Sequence, residues 1–212
     1  MVSPYDSDKK LSSQREMSNS EKRRVFLAVW PSPRALEAIE ETVANAKSVA
    51  AEDPLAFSAI RWLKKETWHL TVVFVGTLDP TGLDDLKTAA ASAARECKPF
   101  QVKFGRAGAF PGLRRPQVLW VGLGPGTEAW NQLVLRTRDA VVQVVPVQRD
   151  KPHTAHLTVA RLRRPVDVGA IVDTLDRIPP VAMDVSKMSL VESVLGPDGA
   201  RYTTLDEFEL LG

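Results

Sequence analysis

The sequence predicts an α+β fold built mainly on antiparallel sheet. Three observations predict it. Strand-like and helix-like segments are mixed along the chain, and several strand-like segments follow one another directly, which a doubly wound parallel sheet does not allow. The two halves share a coarse plan, each with strands, a helix and one strand carrying the word HLTV. Two alternating stretches flank GPDG (196–199), the pattern of a terminal hairpin.

Each element follows from local signals. RRVFLAVW (23–30) is β-branched and aromatic and stops at PSP, so it reads as a strand. Ser32 then caps a helix that has Pro33 at its first position and continues through RALEAIEETVANAKSVA (34–50). In IRWLKKETWHLTVVFVG (60–76) the second part, 68–75, is a nearly continuous apolar strand interrupted only by His69 and Thr71. DPTGLDDLKTAAASAARECK (79–98) is an alanine-rich helix opened by turn residues. FQVKFGRAGAF (100–110) and QVLWVGLG (117–124) are strands joined by the loop PGLRRP. EAWNQLVLRTRDAVVQV (128–144) is a third helix, and the polar connector PVQRDKPHT leads to the strand AHLTVARL (155–162). VGAIVDTLDRI (168–178) is a short fourth helix, and VAMDVSKMSLVESVL with RYTTLDEFEL forms the terminal hairpin.

The 212 residues suffice for one large domain or two small lobes sharing a core. Apolar content of 44% and charged content of 25% are those of an ordinary globular chain. Net charge is only +2, so any nucleic-acid surface must be local. Cys97 is the sole cysteine, which excludes an intramolecular disulfide and a cysteine-based metal site and suits a reducing cytoplasm. Residues 1–22 are polar, lack a secretory apolar run and read as a disordered tail. No segment approaches 18 consecutive apolar residues, so no membrane span is expected.

Two of the three histidines, His69 and His156, each open the word HLTV. On a strand, residues i and i+2 share a face. His69 and Thr71 therefore point one way while Leu70, Val72 and Phe74 point the other; His156 and Thr158 oppose Leu157 and Val159 in the same manner. If the two strands lie side by side on the floor of one cleft, two imidazoles flank a gap beside two hydroxyls. Histidine titrates near pH 6.5, so one ring can be protonated and the other neutral at neutral pH. That is the equipment for attack on a phosphodiester: one ring takes a proton from water and the other delivers one to the departing ribose oxygen. Threonine hydroxyls can donate hydrogen bonds to non-bridging phosphate oxygens.

The chain resembles the two-histidine (2H) phosphoesterases, and most closely the RNA 2′,3′-cyclic phosphodiesterases, once described as 2′–5′ RNA ligases. The carrying motifs are HLTVVFVG (69–76) and HLTVARL (156–162), supported by RVFLAVW, RW at 61–62, GAFPGLRRPQVLWVGL and LVESVLGPDGARYTTLDEFEL. The resemblance implies one bilobal domain over 23–212, with a motif strand from each lobe lining a central cleft. It implies cofactor-free, metal-independent hydrolysis of a 2′,3′-cyclic phosphate at RNA 3′ ends to a 2′-phosphate. It carries over His69 as proton donor, His156 as proton acceptor, and Thr71 and Thr158 as phosphate ligands. Relatives with the same site act on other cyclic or 2′–5′ linked nucleotides, and a catalytically vestigial RNA-end binding protein is the reading from another class. Where the family often has an aromatic or arginine and then proline before the second histidine, this chain has KPHTA. No protein partner is implied.

Other features receive plainer readings. His153 reads as a loop histidine at the cleft rim, since i and i+3 on a strand face opposite sides and do not share a metal with His156. GLGPG (122–126) lacks the spacing of a dinucleotide fingerprint and reads as a turn. Arg149, Lys151, Arg161, Arg163 and Arg164 cluster near the second motif, and Arg114 and Arg115 occupy a loop; such groups steer an RNA backbone or form a solvated face. Simple alternation places Arg161 on the face away from His156. Trp62, Trp68 and Trp120 read as core residues.

Overall fold

A computed structural model of the chain describes residues 22–147, 154–197 and 199–212. The expected tail, His153, Arg149, Lys151 and Asp198 of the GPDG turn lie outside the described residues, apart from Lys22 at the tail's end.

The architecture is α+β with two antiparallel sheets, as the sequence predicts. Strands β1 (Arg23–Val29), β3 (Leu70–Leu78), β8 (Lys187–Gly196) and β9 (Gly199–Glu209) form one sheet in the order β3-β1-β8-β9. Strands β2 (Ile60–Trp62), β4 (Phe100–Phe110), β5 (Val118–Leu123), β6 (His156–Leu162) and β7 (Val181–Val185) form the other in the order β2-β6-β5-β4-β7. The shared plan of the two halves is visible here. Each HLTV strand pairs with the strand that precedes it across a helix, β3 with β1 and β6 with β5.

The helices begin where capping chemistry predicts. Ser32 Oγ accepts from Ala35 N at 3.3 Å and opens α1 (Pro33–Ala51). Asp53 accepts from Leu55 N and opens a short α2 (Pro54–Ala59), which propensity alone does not mark. Asp79 accepts from Gly82 N at the start of α3 (Pro80–Arg95). α4 spans Glu128–Val141 and α5 spans Gly169–Leu175. Two of the long helices cross to cover the other sheet, while α3 stays on the sheet of β3, packed on β9, β3 and β8. α1 leaves β1 and packs on α5 and β7; α4 leaves β5 and packs on α3 and β3. One buried apolar cluster thus runs through both sheets, with Leu27, Ile39, Leu70, Leu119, Leu133 and Leu157 fully enclosed. Burying each such side chain contributes roughly 1.5–3 kcal/mol.

One expected element divides. The stretch 181–195 is not a single hairpin arm. Its first five residues, β7, pair with β4 in one sheet, and β8 crosses to pair with β1 and β9 in the other. The break falls at Ser186–Lys187, two consecutive exposed residues that interrupt the period-two burial of Val181, Met183 and Val185.

Candidate active site

The route to His69 ties the two motif segments together. Residues 60–62 dock as an edge strand on the second motif strand, pairing Ile60 with Leu162, Arg61 with Arg161 and Trp62 with Ala160. Leu63 N extends the pairing to Val159 O at 2.8 Å. A 3-10 turn over Lys65–Thr67 then carries the chain into the other sheet, where β3 begins directly after His69. The segment ahead of one HLTV is therefore bonded to the strand of the other. The two motif strands touch but share no ladder; they lie in different sheets rather than side by side in one.

Both imidazoles are held in the same way. His69 Nδ1 lies 2.8 Å from the carbonyl of Thr67, and His156 Nδ1 lies 2.8 Å from the carbonyl of Thr154. A carbonyl oxygen only accepts, so each Nδ1 carries the hydrogen and each Nε2 is left as the reactive nitrogen. Two parts of the chain with little other sequence likeness reproduce one device, a ring tied to the backbone two residues upstream.

The rings sit in aromatic surroundings. Phe26, Trp30 and Tyr202 surround His69, with centroids at 4.7, 5.7 and 5.1 Å. Phe110 stands edge-on to His156 at 4.9 Å, with Trp120 behind at 6.4 Å. Burial pushes His69 down to about 4, against the pull of the Thr67 carbonyl and helped by charge on His156. His156 is lowered too, first by burial and then by the Arg161 guanidinium, with the Thr154 carbonyl opposing. Both shifts favour the neutral rings in the free protein, against the expectation of one protonated ring at neutral pH. A negative charge between them reverses the balance.

The threonines follow the expected alternation. Thr71 and Thr158 are half-buried between the enclosed pairs Leu70/Val72 and Leu157/Val159. Beyond them, β-bulges change the faces. The β1–β3 register pairs Ala28 with Thr71 but Leu27 with Val73, and Phe26 with Phe74 but Val25 with Gly76, leaving Val72 and Val75 as extra residues. Phe74 is consequently exposed, with Arg24 stacked on it at 5.0 Å, and not in the core with Leu70. The β5–β6 register likewise pairs Trp120 with Thr158 but Leu119 with Ala160. The extra residue, Val159, returns Arg161 to the face of His156, the reverse of the expectation from simple alternation.

Trp120 joins this floor through glycine. A Cβ on Gly108 would lie 2.5 Å from the indole Cζ2, and one on Gly122 would lie 2.9 Å from Cζ3 and 2.8 Å from the Ala155 carbonyl. Only glycine at both positions lets the indole lie flat against the sheet, under Phe110 stacked at 5.2 Å and the Arg106 guanidinium at 5.7 Å. Trp120 is buried, as expected, but buried as a wall of the site. Trp68 is ordinary core, and Trp62 is half-buried beneath Lys47.

Sequence reasoning misses the aromatic residues around His69. A signal exists: in VFLAVW, the period-two pattern places Phe26, Ala28 and Trp30 opposite Val25, Leu27 and Val29. Phe26 and Ala28 do form a second small cluster with Val191, bordered by Trp30 and Tyr202. Arg114 and Arg115 are exposed in the β4–β5 loop. The GLGPG segment is a turn with Gly126 at positive φ. Among the described residues, no group of three or more His, Cys, Asp or Glu comes together, and no helix is long and apolar enough to cross a membrane.

Known proteins share both the sequence family and the fold. Residues 59–197, which hold both HLTV strands, match the model of the 2′-5′ RNA ligase superfamily. An RNA 2′,3′-cyclic phosphodiesterase of Methanothermobacter thermautotrophicus is 26% identical over 192 residues, 89% of this chain and 100% of that one. One from Aquifex aeolicus is 26% identical over 157 residues, 72% of this chain and 82% of that one. The crystal structure of TT0787 from Thermus thermophilus superposes with a TM-score of 0.68 at 27% identity, covering 89% of this chain and 98% of that one.

Proposed function

The chain belongs to the 2′-5′ RNA ligase superfamily, and from that premise we propose that it hydrolyses the 2′,3′-cyclic phosphate at RNA 3′ ends to a 2′-phosphate, with residues 23–212 acting as one bilobal unit. The observation that carries the reading is the matched pair of Nδ1-anchored imidazoles, each two residues ahead of a half-buried threonine, Thr71 or Thr158.

In this reading the phosphodiester anion settles between the two Nε2 atoms and restores a proton to His69. His156 Nε2 takes a proton from water as the water oxygen bonds to phosphorus. The bond from phosphorus to O3′ breaks, and His69 Nε2 passes its proton to that oxygen. His69 ends neutral and His156 protonated, and solvent exchange resets the pair. Each proton transfer is worth about 10²–10⁴ in rate. Thr71 and Thr158 donate to the non-bridging oxygens as charge builds there. The bulge at Val159 supplies Arg161, whose fork suits a phosphate.

The test is hydrolysis of a nucleoside 2′,3′-cyclic phosphate in EDTA, with the product identified by ³¹P NMR. The reading predicts sustained turnover to the 2′-phosphate. Binding without turnover would identify a vestigial RNA-end binding protein; turnover confined to another cyclic or 2′–5′ linked nucleotide would move the substrate within the family.

A further inference from the structure

We propose that a basic recess at the far end of the β5–β6 pair holds the RNA strand upstream of the reacting terminus, so that this protein favours an oligonucleotide over a free nucleotide. The inference rests on the cyclic phosphodiesterase reading and extends it to substrate length.

The recess has a volume of about 540 Å³ and lies between Arg115, Pro116 and Gln117 on one side and Leu162, Arg163, Arg164 and Pro165 on the other. Neither imidazole lines it. β6 starts at His156 and ends at Leu162, so the recess opens about 20 Å along the strand from the chemistry. Its walls are fixed by backbone bonds: Leu162 N donates to Gln117 O at 2.9 Å, and Arg163 N donates to Ala59 O at 2.9 Å.

The charge there is one-sided. Three guanidinium groups line the recess and no carboxylate does. Among the described residues Arg115 and Arg163 have no ion pair, and Arg164 bonds only the neutral hydroxyl of Ser58, at 2.6 Å. In a chain with 28 basic and 26 acidic residues, three arginines gathered without an acid mark a local anion site. Arg161 and Arg61, paired across β6 and β2, stand between the recess and Thr158. Arg161 thus places a cation between His156 and the arginines of the recess, as a phosphate backbone running a few nucleotides upstream requires. Leu162, Pro116 and Pro165 offer apolar surface without an aromatic platform, so the recess reads backbone and not base.

The experiment compares a nucleoside 2′,3′-cyclic phosphate with a short oligoribonucleotide bearing the same cyclic end, using wild type and an Arg115→Gln/Arg163→Gln double variant of matched melting temperature. Wild type should show kcat/KM for the oligonucleotide about tenfold or more above that for the nucleotide. The variant should lose this advantage yet keep nucleotide turnover, and its salt slope should fall by about 0.7 for each phosphate that no longer meets an arginine. Equal kcat/KM for both substrates in wild type, or an unchanged advantage in the variant, overturns the proposal. Oligonucleotide affinity measured by fluorescence anisotropy gives a readout independent of turnover. Absence of activity on both substrates in wild type would overturn the phosphodiesterase reading, whereas equal affinity in wild type and variant would overturn the recess alone.

Discussion

Arg61 lies directly opposite Arg161 in the β2–β6 ladder, and neither has an ion pair among the described residues. Like charges facing one another on adjacent strands destabilise a sheet. An anion drawn between them offsets that cost, and the charge of Arg161 is already felt at His156. We expect Arg161→Gln to melt at or slightly above wild type in low salt, a gain of roughly 0.2–1 kcal/mol, while kcat/KM falls by about tenfold or more. Inorganic phosphate should raise the melting temperature of wild type more than that of the variant. A variant that is both less stable and fully active would contradict this account of the pair.

The floor of the site depends on two glycines. Gly122→Ala places a methyl 2.8 Å from the Ala155 carbonyl and 2.9 Å from the Trp120 ring, and the Ala155 main chain leads into His156. Overpacking of this kind costs about 1–3 kcal/mol. Chemical denaturation should show that loss, and kcat should drop with it, because Trp120 and Ala155 move against the imidazole. A control at Gly112, where an added Cβ meets nothing within 4 Å, should change neither quantity.

Protonation couples the histidines to stability. In the fold His69 sits at about 4 and His156 is lowered as well, whereas unfolded histidines titrate near 6.5. Between those values the unfolded chain binds protons that the native state refuses, so stability must fall as pH drops from about 6.5 toward 4. His69 alone accounts for on the order of 3 kcal/mol of that fall. Urea titrations of His69→Gln should give a flatter pH dependence over this window; an equally steep one would show that the ring is not the source.

The same depression predicts a kinetic signature. kcat/KM reports the free enzyme, where both rings are lowered, and kcat reports the complex, where a bound anion raises them. The bell for kcat/KM should therefore centre on the acid side of 6.5, and the bell for kcat should lie at higher pH. Coincident profiles would mean that substrate charge does not reach the rings.

Much of this was legible from residue order alone. The antiparallel α+β class follows from consecutive strands, and helix starts at Ser32 and Asp79 follow from caps that the structure reproduces. The faces of His156, Thr158, Leu157 and Val159 follow from strict period two. Departures begin where period two fails. The bulges at Val72, Val75 and Val159 are set by ladder partners on other strands, so Phe74 and Arg161 change faces without any local mark. The lowered histidines depend on Phe26, Trp30, Tyr202 and Phe110, which reach the rings from separate parts of the chain. The split at Ser186 does have a local mark, two adjacent polar residues, that the hairpin reading passes over.

The most direct measurement is single-turnover hydrolysis of a 2′,3′-cyclic phosphate by His69→Ala, His156→Ala and the double variant, each checked for native melting. If the imidazoles act on one phosphate as a unit, each single change removes nearly all the rate, and the double variant is no slower than the worse single one. A single variant retaining wild-type rate, or two losses that simply multiply, would contradict a shared acid–base pair.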